Sequence, residues 1–161
     1  MIYESDSAMK TAQIALELAR TASPGMVICL DGELGVGKTV FTQGFARGLG
    51  IAEPVSSPTF TILQIYEEGR LPLYHFDVYR ISDPEEMEEI GYEDYFYGQG
   101  VCLIEWSTLI EELLPEGAVR VRLEKDLARG FDFRRIVIQS EKENFALKEE
   151  NEDLAYEDIG D

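Results

Sequence analysis

Eight consecutive residues carry the clearest chemistry in this chain. Gly32-Glu33-Leu34-Gly35-Val36-Gly37-Lys38-Thr39 fits G-x-x-x-x-G-K-[ST] at every position. The pattern works only between a strand and a helix. An apolar run, Met26-Val27-Ile28-Cys29-Leu30, precedes it, and a helix-patterned segment of about 38–48 follows, with Phe41, Phe45 and Leu49 four apart. Glycines let successive backbone N–H groups turn inward around phosphate oxygens, and a helix N-terminus adds partial positive charge. In such a loop Leu34, Gly35, Val36 and Gly37 would line the phosphates, Lys38 would reach the outer ones, and the Thr39 hydroxyl would bind Mg²⁺.

Phosphate loops generally use a second acid at the end of a neighbouring buried strand. Val101-Cys102-Leu103-Ile104 ends in Glu105 and Trp106, which makes Glu105 the candidate metal ligand, the alternative being a strand-end acid facing solvent. Asp77, on a strand expected to lie centrally, could orient an attacking water or hold the metal through water; it could equally pair with Arg80. His75, the only histidine, reads first as a hydrogen-bonded structural residue and second as a catalytic one. Ser57-Pro58-Thr59 falls where switch-type NTPases sense Mg²⁺ and the γ-phosphate, or is ordinary turn chemistry. Arg129, Arg134 and Arg135 form the main cationic cluster, available to a nucleotide, a partner or tRNA, or simply exposed. The only two asparagines, Asn144 and Asn151, leave no N-K-x-D base-reading motif, which disfavours a guanine-specific GTPase and makes ATP the default nucleotide.

The elements that must position these groups follow from patterning. A first helix is expected over 6–21, with Ala8, Ala12, Ala15, Leu16 and Ala19 on one face and Pro24-Gly25 ending it. Strands of about 59–66 and 71–79, linked by Glu67-Glu68-Gly69-Arg70, read as a hairpin. Asp83-Pro84 opens a short acidic helix that Gly91 can close. A helix of about 107–114 stops before Pro115, and strands near 118–123 and 131–139 flank Ala128-Arg129-Gly130. The fold class is α/β: a three-layer, P-loop NTPase-like domain over residues 1–140 with a mixed central sheet. Residues 141–161 form an acidic extension, helix or mobile tail, and not a second domain.

Bulk properties narrow the function classes. At 161 residues the chain suits one domain with a real core. Two cysteines, Cys29 and Cys102, sit in apolar runs, favouring buried reduced thiols. No apolar run approaches a membrane span, and the N-terminal MIYESDSAMK has no signal-peptide pattern, so a cytoplasmic location is expected. The formal charge is −18. Residues 82–97 hold seven acids and no base, and 141–161 hold nine acids and two bases, whereas 120–135 hold six bases and three acids. Nucleic acid is bound mainly through Lys and Arg on phosphates, so any service to it should pass through a partner.

Taken in order, Gly32–Thr39, Ser57-Pro58-Thr59-Phe60, His75-Phe76-Asp77-Val78-Tyr79-Arg80, Glu89-Ile90-Gly91 and Ile104-Glu105-Trp106 resemble the TsaE family, the ATPases of bacterial tRNA threonylcarbamoyladenosine biosynthesis, over residues 5–139. The resemblance implies ATP phosphates on residues 34–39, Mg²⁺ on Thr39 and Glu105, Asp77 as the acid needed for hydrolysis, and Ser57 and Thr59 in a switch-like segment. It implies Thr11 near the adenine, with His75 and Trp106 packed beside the site. It also implies partners: a threonylcarbamoyl-transferase subunit (TsaD) and its non-catalytic paralogue (TsaB), which move a threonylcarbamoyl group onto the adenosine next to the anticodon while the ATPase resets or regulates them. Where family members often carry Gly-Arg in the last hairpin, this chain has Gly130-Phe131. The alternatives are a small-molecule kinase, needing an arginine-bearing lid for which 129–135 is the only candidate, and a nucleotide-gated docking protein with little turnover.

Overall fold

Two strands, β2 (Val27–Gly32) and β5 (Val101–Glu105), each open with four apolar residues because both of their faces are covered there. They pair in parallel, with Leu30 opposite Glu105. A computed structural model describes residues 1–33, 35–56 and 61–140 of the chain. In chain order the remaining elements are β1 (Ile2–Ser5), α1 (Ala8–Arg20), α2 (Lys38–Gly48), β3 (Leu63–Tyr66), β4 (Leu73–Asp77), α3 (Glu86–Ile90), α4 (Tyr92–Phe96), a 3₁₀ segment (Ser107–Leu113), β6 (Val119–Lys125), a 3₁₀ turn (Leu127–Arg129) and β7 (Arg134–Gln139). The sheet runs β1-β7-β6-β2-β5-β4-β3. The four strands β6, β2, β5 and β4 are mutually parallel, and antiparallel pairings β6–β7, β1–β7 and β3–β4 complete its two sides.

Strict alternation divides the core. Ile28, Leu30, Val101 and Leu103 face α1 and α2, together with Phe41, Phe45 and Leu18. Val27, Cys29, Cys102 and Ile104 face the other way, toward Met87, Phe96 and Ile110. The expected three-layer α/β domain with a mixed sheet is therefore the observed one. Both cysteines are free and buried; burial pushes the Cys29 thiol up to about 11 and raises that of Cys102 as well, so neither is a nucleophile.

Helices α1 and α2 approach closely because α2 is glycine-bearing on the shared face. A Cβ on Gly44 would lie 2.1 Å from the Ala12 carbonyl oxygen, and one on Gly48 2.5 Å from that of Leu16. Both contacts are with backbone, which cannot step aside. Gly44→Ala should therefore destabilise the fold by about 2 kcal/mol or more, read as a lower urea midpoint, despite alanine's better helix propensity.

Several local expectations shift. The first helix starts at Ala8, with the Ser7 hydroxyl accepting from Lys10 N–H. The 59–66 and 71–79 strands appear as β3 and β4, antiparallel as a hairpin requires, but their link runs over 67–72 because Arg70 is drawn away to the C-terminal end of α1. There its guanidinium donates to the carbonyls of Ala19 (2.8 Å) and Ala22 (2.9 Å). β4 lies one strand in from the edge. Gly91, at φ 74, closes α3 as expected, but α4 follows at once. The segment after Trp106 is 3₁₀ with a break at Ile110, not a regular helix. β1 is a strand that the sequence reading did not place; only four residues long, it offers almost no alternation to detect.

Candidate functional site

The loop between β2 and α2 is shaped by left-handed glycines. Gly35 has φ 78 and Gly37 φ 106, values that a side chain would strain. Gly37 occupies the N-cap position of α2 and supplies no side-chain cap, so the first N–H groups of an 11-residue helix are left for a ligand rather than satisfied internally. No acid lies in that first turn. The loop is also tied to β7, two strands from β2 in the sheet, where Arg134 Nε donates to the Val36 carbonyl at 2.8 Å.

Lys38 opens α2 and turns its side chain back into the loop. Its Nζ donates to the Gly32 carbonyl at 2.7 Å and lies 3.7 Å from the centre of the Trp106 ring. Burial lowers its pKa, opposed by the negative charges of Glu105, Asp77 and Asp31. This ammonium is poorly solvated and held among weak acceptors, which makes it ready to exchange them for phosphate oxygens. Thr39, next in the helix, is exposed.

Facing Lys38 are two carboxylates on adjacent parallel strands. Asp77 ends β4 and Glu105 ends β5, and the two are register partners. Glu105 is 3% exposed, and its Oε2 is hydrogen-bonded to His75 Nε2 at 2.6 Å. Buried Nδ1 of His75 has no hydrogen-bond partner among the described residues. Asp77 is half-buried, and its Oδ1 accepts from Tyr79 N–H at 3.1 Å. Burial raises the pKa of Asp77; the Tyr79 amide opposes this, Glu105 adds to it, and His75 and Lys38 lower it.

The raised pKa of Asp77 has a consequence for stability. Its charged form is disfavoured in the folded chain, so the cost is present above the ordinary carboxylate range and vanishes once both folded and unfolded states are protonated. Asp77→Asn should therefore be more stable than wild type at neutral pH, and the gap should close as pH falls through the raised folded-state pKa into the ordinary carboxylate range. Thermal melts across pH check this.

Hard oxygen donors of this kind, a threonine hydroxyl and carboxylates beside a phosphate cradle, suit Mg²⁺. Among the described residues no group of three or more His, Cys, Asp or Glu side chains forms a metal site by itself, so an ion here would need nucleotide and water oxygens to complete its shell.

Trp106 is the one non-glycine residue with a positive φ among those described, at 62. Its ring also packs on Tyr79, with centroids 4.9 Å apart. Thr11 is buried at the start of α1, its hydroxyl 2.8 Å from that of Ser5. Leu34, Ser57 and Thr59 lie outside the described residues. The arginine cluster does not form a free lid: Arg129 pairs with Glu4, Arg135 with Asp126 and Glu124, and Arg134 holds the loop. Phe131, which follows Gly130, is 82% exposed. Two residues with structural claims on the site escaped the sequence reading. One is Arg134, placed in the cluster but not on the loop. The other is Asp31, whose signal was present: Val27-Ile28-Cys29-Leu30-Asp31 repeats the pattern of Val101–Glu105, an apolar strand closed by an acid.

A parallel-centred sheet, a glycine loop feeding a helix N-terminus, and two strand-end acids opposite the loop lysine define a domain of the P-loop NTPase-like α/β class. A family model for the threonylcarbamoyl adenosine biosynthesis protein TsaE matches residues 5–137, and the chain belongs to the TsaE family. The tRNA threonylcarbamoyladenosine biosynthesis protein TsaE of Bacillus subtilis is 53% identical over 116 residues, 72% of each chain. Its counterpart in Treponema pallidum is 46% identical over 119 residues, 74% of this chain and 87% of that one. The crystal structure of Bacillus subtilis YdiB superimposes with a TM-score of 0.74 at 40% identity, covering 90% of this chain and 88% of that one. No helix among the described residues is long and apolar enough to cross a membrane.

Proposed function

We propose that this chain is a Mg²⁺-dependent ATPase of tRNA threonylcarbamoyladenosine biosynthesis, acting on the threonylcarbamoyl-transferase complex formed by TsaD and TsaB. The observation that supports this best is Lys38, seated inside a glycine loop and opposed by Asp77 and Glu105 from two paired strands. The uncapped N–H groups of α2 and the loop amides bind the triphosphate, and Lys38 stabilises charge gathering on its outermost group. Thr39 and Glu105 hold the ion, with His75 fixing the angle of Glu105. A magnesium ion held there would supply positive charge to offset that of the phosphates. Asp77 orients the attacking water and accepts its proton. Thr11 stands near the adenine side, and Ser57 and Thr59 respond to the outer phosphate.

The strongly negative chain favours contact with tRNA only through its partners. With each of the three hairpin arginines engaged within the chain, a kinase-type lid has no support.

Phosphate-loop proteins without a group supplied in trans hydrolyse slowly. Phosphate release should be weak for the chain alone and rise when TsaD and TsaB are added, and a pull-down should recover the complex with ATP better than without it. An unchanged rate on adding the pair, with a Lys38 variant confirming that the basal rate belongs to this site, defeats the reading.

A further inference from the structure

The carboxylate of Asp31 has both oxygens committed to one residue. Oδ1 accepts from Ser107 N–H at 2.9 Å and Oδ2 from the Ser107 hydroxyl at 2.6 Å. Asp31 sits at the end of β2, immediately before the first glycine of the phosphate loop. Ser107 is fully buried and follows Glu105 and Trp106 directly. The clamp therefore joins the two strand ends that carry the loop and the metal-binding acid, and it grips the chain one residue beyond Trp106.

That location matters because Trp106 is held in the left-handed region, at φ 62, where a bulky residue does not rest unless its surroundings enforce it. The Trp106 side chain roofs Lys38 Nζ, and its peptide bond to Glu105 sets where that carboxylate points. The segment after it, a broken 3₁₀ turn, is too irregular to impose the backbone angle. The two bonds from Asp31 supply the constraint.

We infer that Asp31 and Ser107 are positioning residues: their two-point clamp holds Trp106 in its left-handed conformation, which keeps the indole over Lys38 and Glu105 aimed at the ion. The part concerning the ion rests on the nucleotide reading above; the part concerning Trp106 does not.

Full-length Asp31→Ala, Asp31→Asn and Ser107→Ala proteins test this through two measurements. Trp106 is the only tryptophan, so its emission and its quenching by acrylamide, without nucleotide, report the roof. The magnesium dependence of ATP hydrolysis, separated from kcat, reports Glu105. In Asp31→Ala, Trp106 becomes more quenchable with red-shifted emission, and half-saturating magnesium rises roughly tenfold. In Asp31→Asn the amide keeps an acceptor for the Ser107 N–H and can donate to its hydroxyl, and most of both effects is recovered. Ser107→Ala removes one bond of two and shows an intermediate shift; it decides the matter if Asp31→Ala fails to fold. A cooperatively melting Asp31→Ala or Ser107→Ala protein that leaves quenching unchanged overturns the clamp. Altered quenching with an unchanged magnesium requirement overturns its role toward Glu105. If wild type binds no magnesium–ATP, the proposed function fails on its own, and quenching still decides the clamp.

Discussion

Lys38→Met lowers ATP hydrolysis by about 10²–10³-fold while leaving the melting temperature at or above that of wild type. The two halves of this expectation come from the same geometry. The ammonium is buried beneath Trp106 with a carbonyl as its hydrogen-bond partner, and burial lowers its pKa, so its charge is a burden on the folded state at neutral pH. Methionine keeps most of the apolar stem that packs there and removes that burden. What it cannot do is meet negative charge building on a phosphoryl group, where a poorly solvated cation is worth far more than in water. Steady-state phosphate release beside a thermal melt separates the two. Lost activity together with lost folding would mean that Lys38 is structural.

Asp77→Asn lowers hydrolysis by about 10²–10⁴-fold with nucleotide affinity changed only a few-fold. An amide matches the carboxylate in shape and can still accept from Tyr79 N–H, so the strand end keeps its form. It is too weak a base to take a proton from water. Glu105, the deeper acid hydrogen-bonded to His75, is untouched and, on the proposed reading, would still hold the ion, so binding should survive. The variant also separates turnover from occupancy. If Asp77→Asn binds ATP and the transferase pair yet supports tRNA modification at the normal level, the nucleotide gates docking and its hydrolysis is incidental. Single-turnover hydrolysis, nucleotide affinity and modified-tRNA yield on one preparation give the answer.

Much of the site was legible because it is local. Gly32 through Thr39 is contiguous, and its meaning depends only on an apolar strand before it and a helix after it; α2 runs over Lys38–Gly48, matching the expected 38–48. Glu105 stood out as the acid ending an apolar strand, and the β3–β4 hairpin from its turn residues. Gly91 marked a helix end because only glycine sits easily at φ 74. Legibility failed where a residue's role is set by something distant. Arg134 reads as one of three hairpin cations until the sheet order brings β7 within reach of Val36. Arg70 reads as a turn residue until it proves to bind α1, some fifty positions away. β1 is too short for a period and exists because β7 offers it an edge.

The sequence by itself determined that a glycine loop opens onto a helix, that Lys38 begins that helix, and that the core is a two-sided sheet, since glycine freedom, helix onset and strand alternation are properties of neighbouring residues. Only the tertiary structure decided which acids meet that lysine and in what state. The parallel register of β4 and β5 sets Asp77 level with Glu105. The depth of the sheet leaves His75 as a hydrogen-bond partner for Glu105. The Asp31–Ser107 contact turns Trp106 onto Lys38. Such pairings bring together residues twenty-eight to seventy-six positions apart, and their geometry depends on strand order and burial, which no stretch of adjacent residues contains.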